Sequence, residues 1–354
     1  MNLTLSRRDS TLLKGVAILA IVMHNFCHWL PGCVVENEYM FHAEYSCRMA
    51  EVLKDFGPHV VLNFFSYFGH YGVPLFLFIS GYGLVCKYER PEHRDMGVPF
   101  GRFLAYNVLK LWKLMIPAVL LLVACETVRC GSFRHGWDDV AYMLGFVTNF
   151  LPNARDSFLH HRDLLLGPWW YFSLTLQMYL LWRICYYRHG KLWIVASICI
   201  SLFAQVMAVT LLSDKDQSVL DYLRYNLVGC LLPFAFGVWV ARYGLRLTPV
   251  RWVAALVLFV AGCFNVFLWM LTPVMAVVVL YPLCRMRGMA SRFFCFFGSM
   301  SAALFAIHPI VRGFYLSPYR EVPVYSSLAA YLAISFLSAW LLSQILKRIP
   351  IFKF

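Results

Sequence analysis

The chain has 354 residues, of which 61% are hydrophobic and only 14% charged, and its net charge is +13. Its mean hydropathy of +0.65 and the apolar runs that recur from end to end exclude a soluble domain with a single anchor. The basic excess could indicate a nucleic acid partner. Its distribution along the chain instead indicates orientation in a membrane, so we expect membrane lipids and no nucleic acid as partners.

The first apolar segment, residues 12–30, is long enough to cross a hydrocarbon core of about 30 Å. It is not followed by a small-residue cleavage site, so we interpret it as a retained helix. Lys14, His24, Asn25 and His28 fall on one stripe of this helix at about 100° per residue. Polar groups at membrane depth normally face a protein interior or a wet cavity, so the stripe is a candidate site. For His28, near the interface, bonding to neighbouring helices is an equal alternative.

An acidic loop follows and is predicted to be external, and the second span covers about residues 59–86. This span contains His70 between Gly69 and Gly72, two glycines that permit a close approach of backbones. For His70, packing between helices and a role in substrate binding are equal alternatives.

The third predicted span begins after a basic stretch that contains Arg102, Lys110 and Lys113. Residues 137–150 are apolar but short, and we place them at the outer interface because a crossing there would put every later basic loop outside. The remaining spans are then predicted at about 169–187, 192–213, 219–241, 252–270, 271–284, 293–315 and 325–346.

This arrangement is an all-α polytopic bundle of ten membrane-spanning helices with both termini in the cytoplasm. It places 21 of the 31 basic residues and only four of the 18 acidic residues on the inner side. The inner side then carries +17 and the outer side −4, as the positive-inside rule requires.

Four motifs occur in chain order. They are Arg8-Asp9 with Leu13-Lys14-Gly15-Val16-Ala17-Ile18 and His24, the segment from Gly72 to Tyr82, Trp169-Trp170-Tyr171-Phe172-Ser173 with Gln177 and Tyr179, and Phe297-Gly298 with the segment from Ser301 to Pro309. In this order and with this sidedness they resemble the acyltransferase 3 family of integral-membrane O-acyltransferases, over residues 7 to about 346.

The resemblance implies transfer of an acyl group, often acetyl from acetyl-CoA, to a hydroxyl of an envelope or surface glycan. Acyl-CoA would be the cytoplasmic donor, with no permanently bound cofactor, and a glycan or lipid-linked saccharide would be the acceptor. We therefore expect one membrane-embedded acyltransferase domain over residues 1–354, located in a bacterial cytoplasmic (inner) membrane.

The resemblance also implies an essential histidine, because the first helix of the family carries a basic residue, ten intervening residues and a histidine. Asn25 stands at that position here, and His24 has nine residues between itself and Lys14. The acidic residues of the family's Trp-Tyr segment are also absent, since Thr175 and Leu176 stand there.

The chemistry favours a histidine base, because a sugar hydroxyl needs a base with a pKa near ambient pH. We predict His24 as that base, since an amide cannot take up the proton, and Asn25 as a donor to the developing oxyanion. His308, which precedes Pro309, is predicted to orient the acceptor or relay a proton, with a bond to a carbonyl freed by the proline as the alternative.

Two further sets of residues complete the predicted site. The residues predicted to bind the acyl-CoA donor are Lys14, Arg102, Lys110 and Lys113. For Lys110 and Lys113 the alternative is that the side chains only extend their charges to the membrane interface. The residues predicted to bind the acceptor are His28, His70, Trp170, Tyr171 and Gln177.

Two other classes of protein remain open. One is a glycan or lipid transporter, or a non-catalytic binding protein of the same fold, and the departures at Asn25 and Thr175 favour it. The other is a membrane acyltransferase of a different fold. The twelve cysteines form no CxxC pair and no Cys/His spacing typical of a metal site, so we expect no metal. A disulfide among Cys33, Cys47, Cys125 and Cys130 is left open.

Overall fold

The computed structural model describes residues 3–89, 97, 99–150, 165–211, 217–315 and 323–351. Within these ranges the chain is helical, with sixteen α-helices and no β-strand, so the all-α prediction is confirmed. The helices are α1 (Arg7–Cys27), α2 (Ala43–Asp55), α3 (Val60–Phe68), α4 (Gly72–Tyr88), α5 (Phe100–Cys130), α6 (Trp137–Leu144), α7 (Trp170–Leu181), α8 (Lys191–Thr210), α9 (Ser218–Tyr225), α10 (Leu227–Tyr243), α11 (Pro249–Gly262), α12 (Val266–Trp269), α13 (Thr272–Leu280), α14 (Gly288–Ser299), α15 (Ser301–Tyr315) and α16 (Val324–Arg348).

Five helical segments of the described chain are long and apolar enough to cross a membrane, namely α1, Val60–Tyr88, α5, α8 and α16. The number rises to seven if the bent pairs α9–α10 and α14–α15 each count as one span. The described helices therefore indicate an integral membrane protein with five to seven candidate spans, and the count of ten stays a prediction. Helix α6 has eight residues and a length of about 12 Å, which is too short to cross.

The boundaries of α1 differ from the predicted 12–30. The helix begins at Arg7 because Ser6 and Asp9 form a capping box, in which the Asp9 backbone N–H donates to Ser6 Oγ and the Ser6 N–H donates to Asp9 Oδ2. It ends at Cys27, three residues early. His24 therefore lies in the last turn of the helix.

Two compact units make up the chain, and the first comprises Met1–Gly97 and Leu181–Ser299. Its helices approach one another closely at glycines. A Cβ added to Gly15 of α1 would overlap the carbonyl of Phe294 in α14, and one added to Gly81 of α4 would overlap the carbonyl of Phe234 in α10. Helices inside a membrane gain little from hydrophobic exclusion, so such small residues stabilise them by bringing backbones into van der Waals contact.

At one end of this unit, segments that are far apart in sequence meet. The Leu5 backbone N–H donates to the Tyr82 hydroxyl at 2.9 Å, and Arg242 makes a two-pronged ion pair with Glu89, with both N–O distances 2.6 Å. All four residues belong to segments predicted to share the inner side of the membrane.

The second unit comprises Val98–Leu180 and Met300–Phe354 and contains α5, α6, α7, α15 and α16. The indole N–H of Trp169 donates to the carbonyl of Ala306 at 3.1 Å, which fixes the start of α7 against α15. The Arg129 guanidinium near the end of α5 donates to the carbonyl of Gly313 at 2.8 Å.

Candidate active site

The candidate site of the first unit is built around the last turn of α1. His24 and His28 are four residues apart, so their side chains share one face, and their ring centroids are 4.6 Å apart. His24 is only 3% exposed and Asn25 only 7%. The prediction that this stripe faces the protein interior is therefore confirmed for both residues.

Helix α3 fixes the tautomer of His24. The Nδ1 atom lies 2.9 Å from the carbonyl oxygen of Ser66 and 3.3 Å from that of Phe65. Because a carbonyl oxygen can only accept, Nδ1 carries the proton, and the neutral imidazole presents its lone pair at Nε2. This is the orientation that a general base needs.

The loop after α1 folds back and places two carboxylates beside that lone pair. Glu38 Oε2 lies 3.7 Å and Glu36 Oε1 3.9 Å from His24 Nε2. Glu36 Oε1 also lies 3.3 Å from His28 Nδ1. Neither glutamate is among the predicted site residues, because the sequence places them only in an external loop.

Several long-range hydrogen bonds hold this loop in place. The Val34 N–H donates to Asn63 Oδ1 at 2.8 Å, and the Ser66 hydroxyl donates to the Val34 carbonyl at 2.6 Å. On the other side of Glu36, the Trp269 indole donates to the Asn37 carbonyl at 2.8 Å. The carboxylates are therefore attached to backbone that is fixed by α3 and α12.

The two glutamates have opposite protonation preferences. Burial alone raises the pKa of Glu36, but the hydrogen bond from His28 and the electrostatic attraction of the two neighbouring imidazoles outweigh it and lower the pKa to about 2. Burial, followed by the charge of Glu36, raises the pKa of Glu38 to about 8. At neutral pH Glu36 is thus ionised and Glu38 carries a proton.

His70 joins this cluster. Its ring centroid lies 5.8 Å from that of His24, and the residue is 3% exposed. Gly69 and Gly72 lie directly against α1, so the predicted close approach at these two glycines is confirmed.

Arg224 is a third site residue that the predictions omit. It is buried in α9, where its Nε–H donates to the Glu38 carbonyl at 3.0 Å and Nη1 donates to Gln205 Oε1 at 3.1 Å. Its guanidinium carbon lies 4.1 Å from the ring centroid of Trp269, a cation–π contact. The signal was present in the sequence, since Arg224 falls inside the predicted span 219–241, where an ionisable residue marks a candidate site.

The remaining predicted catalytic residues have local partners. One amide N–H of Asn25 donates to the Ile21 carbonyl at 3.0 Å. His308, in the second unit, is fully buried, and its Nδ1 lies 3.0 Å from the Leu304 carbonyl oxygen. Both the predicted role of His308 and the alternative of a bond to a carbonyl freed by Pro309 stay predictions.

The predicted acceptor residues of the second unit are grouped around α7. The Trp170 and Tyr171 rings meet edge to face at 6.0 Å, and Tyr171 lies 5.4 Å from the Phe305 ring. The Gln177 amide exchanges two hydrogen bonds with Asn149, at 2.8 and 3.2 Å. Their contact with an acceptor stays a prediction.

The predicted donor residues belong to both units. Lys14 lies in α1, whereas Arg102, Lys110 and Lys113 lie along α5. Lys113 Nζ donates to the Ile349 carbonyl at 2.5 Å, and Lys110 Nζ lies 5.9 Å from the Tyr179 ring centroid. Binding of acyl-CoA by these four residues stays a prediction. All twelve cysteines, including Cys33, Cys47, Cys125 and Cys130, are free thiols in the structure.

A helical chain with five to seven candidate spans, and with histidines and carboxylates clustered around the end of its first helix, belongs to the class of polytopic membrane proteins with an internal polar site. The chain is a member of the acyltransferase 3 family, since the model of that family's acyltransferase domain matches residues 8–346, nearly the whole chain. It is therefore a membrane acyltransferase in general terms. No curated protein and no solved structure matches it significantly.

Proposed function

We propose that the protein is an O-acyltransferase, and specifically an O-acetyltransferase, of the bacterial cytoplasmic membrane. It moves an acyl group from cytoplasmic acyl-CoA to a hydroxyl of an envelope or surface glycan, and His24 is the general base. Residues 1–354 act as one acyltransferase domain in this proposal.

The observation that carries the proposal is the orientation of the His24 ring. Its Nδ1 proton is held by the Ser66 carbonyl, and its Nε2 faces Glu36 and Glu38. A buried neutral imidazole beside an ionised carboxylate can take up a proton, because the imidazolium that forms is stabilised by the negative charge of Glu36.

The reaction then has two stages. His24 Nε2 removes the hydroxyl proton as the sugar oxygen attacks the thioester carbonyl, and Asn25 donates to the developing oxyanion. The tetrahedral intermediate collapses to the ester, the carbon–sulfur bond breaks, and the CoA thiolate takes the proton from the His24 imidazolium. The base is then neutral again.

The topology belongs to the same proposal, with ten spans, both termini in the cytoplasm and the donor phosphates on the cytoplasmic side. The charge distribution supports it, as do the contacts of Leu5 with Tyr82 and of Glu89 with Arg242, which join segments predicted to share the inner side.

Reconstituted protein with labelled acetyl-CoA tests the chemistry. His24→Ala should abolish transfer and hydrolysis while CoA still binds, because the base contributes to the barrier and not to recognition of the phosphates. Asn25→Ala should retain a measurable rate, and Asn25→His should restore the spacing of the family.

Wild-type turnover in His24→Ala, together with loss of activity in His28→Ala or His308→Ala, would move the base to another histidine. Binding of glycan without turnover of acetyl-CoA by the unaltered protein would instead favour the non-catalytic binding protein.

A further inference from the structure

The face of α1 that carries the proposed base also has the composition of a transition-metal site. His24 and His28 are spaced i, i+4 on one helix, the spacing by which two histidines present nitrogen ligands to one Zn²⁺ ion. His24, His28 and Glu36 each offer one ligand atom, and within the described part of the chain these atoms all lie within 4.8 Å of one another.

The measured distances are close to those of a coordinated ion. Glu36 Oε1 lies 3.3 Å from His28 Nδ1 and 3.9 Å from His24 Nε2. Two ligands of a tetrahedral zinc ion with bonds of roughly 2.0–2.1 Å are about 3.3 Å apart. All three ligand atoms lie within 4.8 Å of one another, so rotation of the side chains would have to draw them closer around an ion.

The surroundings of His24 also fit a ligand. Histidines that bind metals usually donate their second ring N–H to a carbonyl or carboxylate, which orients the ring, and His24 Nδ1 lies 2.9 Å from the Ser66 carbonyl oxygen. Glu36 is preorganised as well, because the backbone on either side of it is bonded to Asn63 and Trp269.

The donor set and the access route favour a borderline metal ion from the outer side. Two imidazoles and one carboxylate suit Zn²⁺, whereas Mg²⁺ and Ca²⁺ prefer oxygen ligands alone. The side chains of His28 and Glu36 are 21% and 16% exposed, but that of His24 is 4% exposed. An ion can therefore enter past the first two and meet His24 last.

We propose that His24, His28 and Glu36 bind one Zn²⁺ ion, and that this ion and the acceptor hydroxyl compete for His24 Nε2. The ion would use the lone pair that general-base catalysis requires, so the metal-bound protein is inactive. The binding site stands on the geometry alone, and the competition rests on the proposed function.

The test uses untagged full-length protein in nanodiscs, stripped with a chelator and titrated with Zn²⁺ against a fluorescent zinc indicator in the absence of donor. We expect one equivalent to bind, and His28→Ala and Glu36→Gln each to weaken binding at least tenfold. His42→Ala is the matched control, because His42 lies 3.4 Å from another glutamate, Glu44, and should leave the affinity unchanged.

Co²⁺ substitution separates this site from the twelve free thiols. We expect visible bands of a low-coordinate Co²⁺ ion without a thiolate charge-transfer band. A thiolate band, or an affinity unchanged in both cluster variants, would overturn the site. In the activity assay, Zn²⁺ should inhibit transfer at the concentrations at which it binds, and His28→Ala should shift both together. Zinc that binds without inhibiting would overturn the competition, whereas an inactive protein that still binds zinc would count against the proposed function only.

Discussion

Gly69→Ala should damage the site without touching a catalytic group. A Cβ at position 69 would lie 2.6 Å from the Cβ of His24 and 2.7 Å from the carbonyl oxygen of Ala20. Because non-bonded carbons pack at about 3.5–4.0 Å, the segment around Gly69 and the end of α1 would have to move apart by about 1 Å.

The substitution should lower both the stability of the protein and its rate of acyl transfer. Overpacking of this kind lowers the free energy of unfolding by about 1–3 kcal/mol. The separation also moves His24 relative to Ser66, whose carbonyl fixes its tautomer. A misplacement of about 1 Å can lower the rate by about 100-fold.

The control is Gly83→Ala, the same change in α4 of the same unit, where no heavy atom lies within 4 Å of the added Cβ. Thermal unfolding in detergent and acetyl transfer from labelled acetyl-CoA should both fall for Gly69→Ala and stay at wild-type values for Gly83→Ala. Equal melting temperatures and rates for the two variants would refute the close approach of α1 and the Gly69 segment.

Three further outcomes are expected. Lys14→Ala should weaken CoA binding and Lys14→Glu should weaken it more, as measured by calorimetry, and an unchanged affinity in both would remove Lys14 from the donor site. Glu38 keeps its proton in the folded protein up to about pH 8, whereas the unfolded chain loses it near 4.5, so folding is penalised increasingly between these values. The melting temperature of Glu38→Gln should therefore exceed that of the wild type by a margin that grows from pH 5 to 8, and a constant margin would show that Glu38 is solvated. Cysteines at positions Arg188 and Arg246 should react with an impermeant maleimide only after cells are opened, at levels above the parent protein, and labelling of either in intact cells would overturn the topology.

The helices and the stripe of α1 could be predicted because both depend on local periodicity. The burial of His24 and Asn25 and the close approach at Gly69 follow from residue type and spacing. Glu36 and Glu38 could not be placed, because the loop that carries them is positioned by Asn63 and Trp269, which are distant in sequence and have no pattern that pairs them with the loop.

The boundaries of α1 were missed for a different physical reason. The hydropathy of residues 12–30 marks where lipid can surround the chain, whereas the capping box of Ser6 and Asp9 marks where the backbone becomes helical. Capping is a hydrogen-bond effect, and an apolar run does not report it.

The loop that delivers Glu36 and Glu38 also constrains how the protein is made. Its backbone is bonded to Arg224 and Trp269, which leave the ribosome long after α1 has entered the bilayer. Until those segments arrive, the histidines of α1 lack the carboxylate partners that they have in the finished protein. Newly made chains should therefore pass through a stage in which the first helix exposes polar groups to lipid, and truncation before residue 269 should leave a protein that insertase or quality-control factors retain.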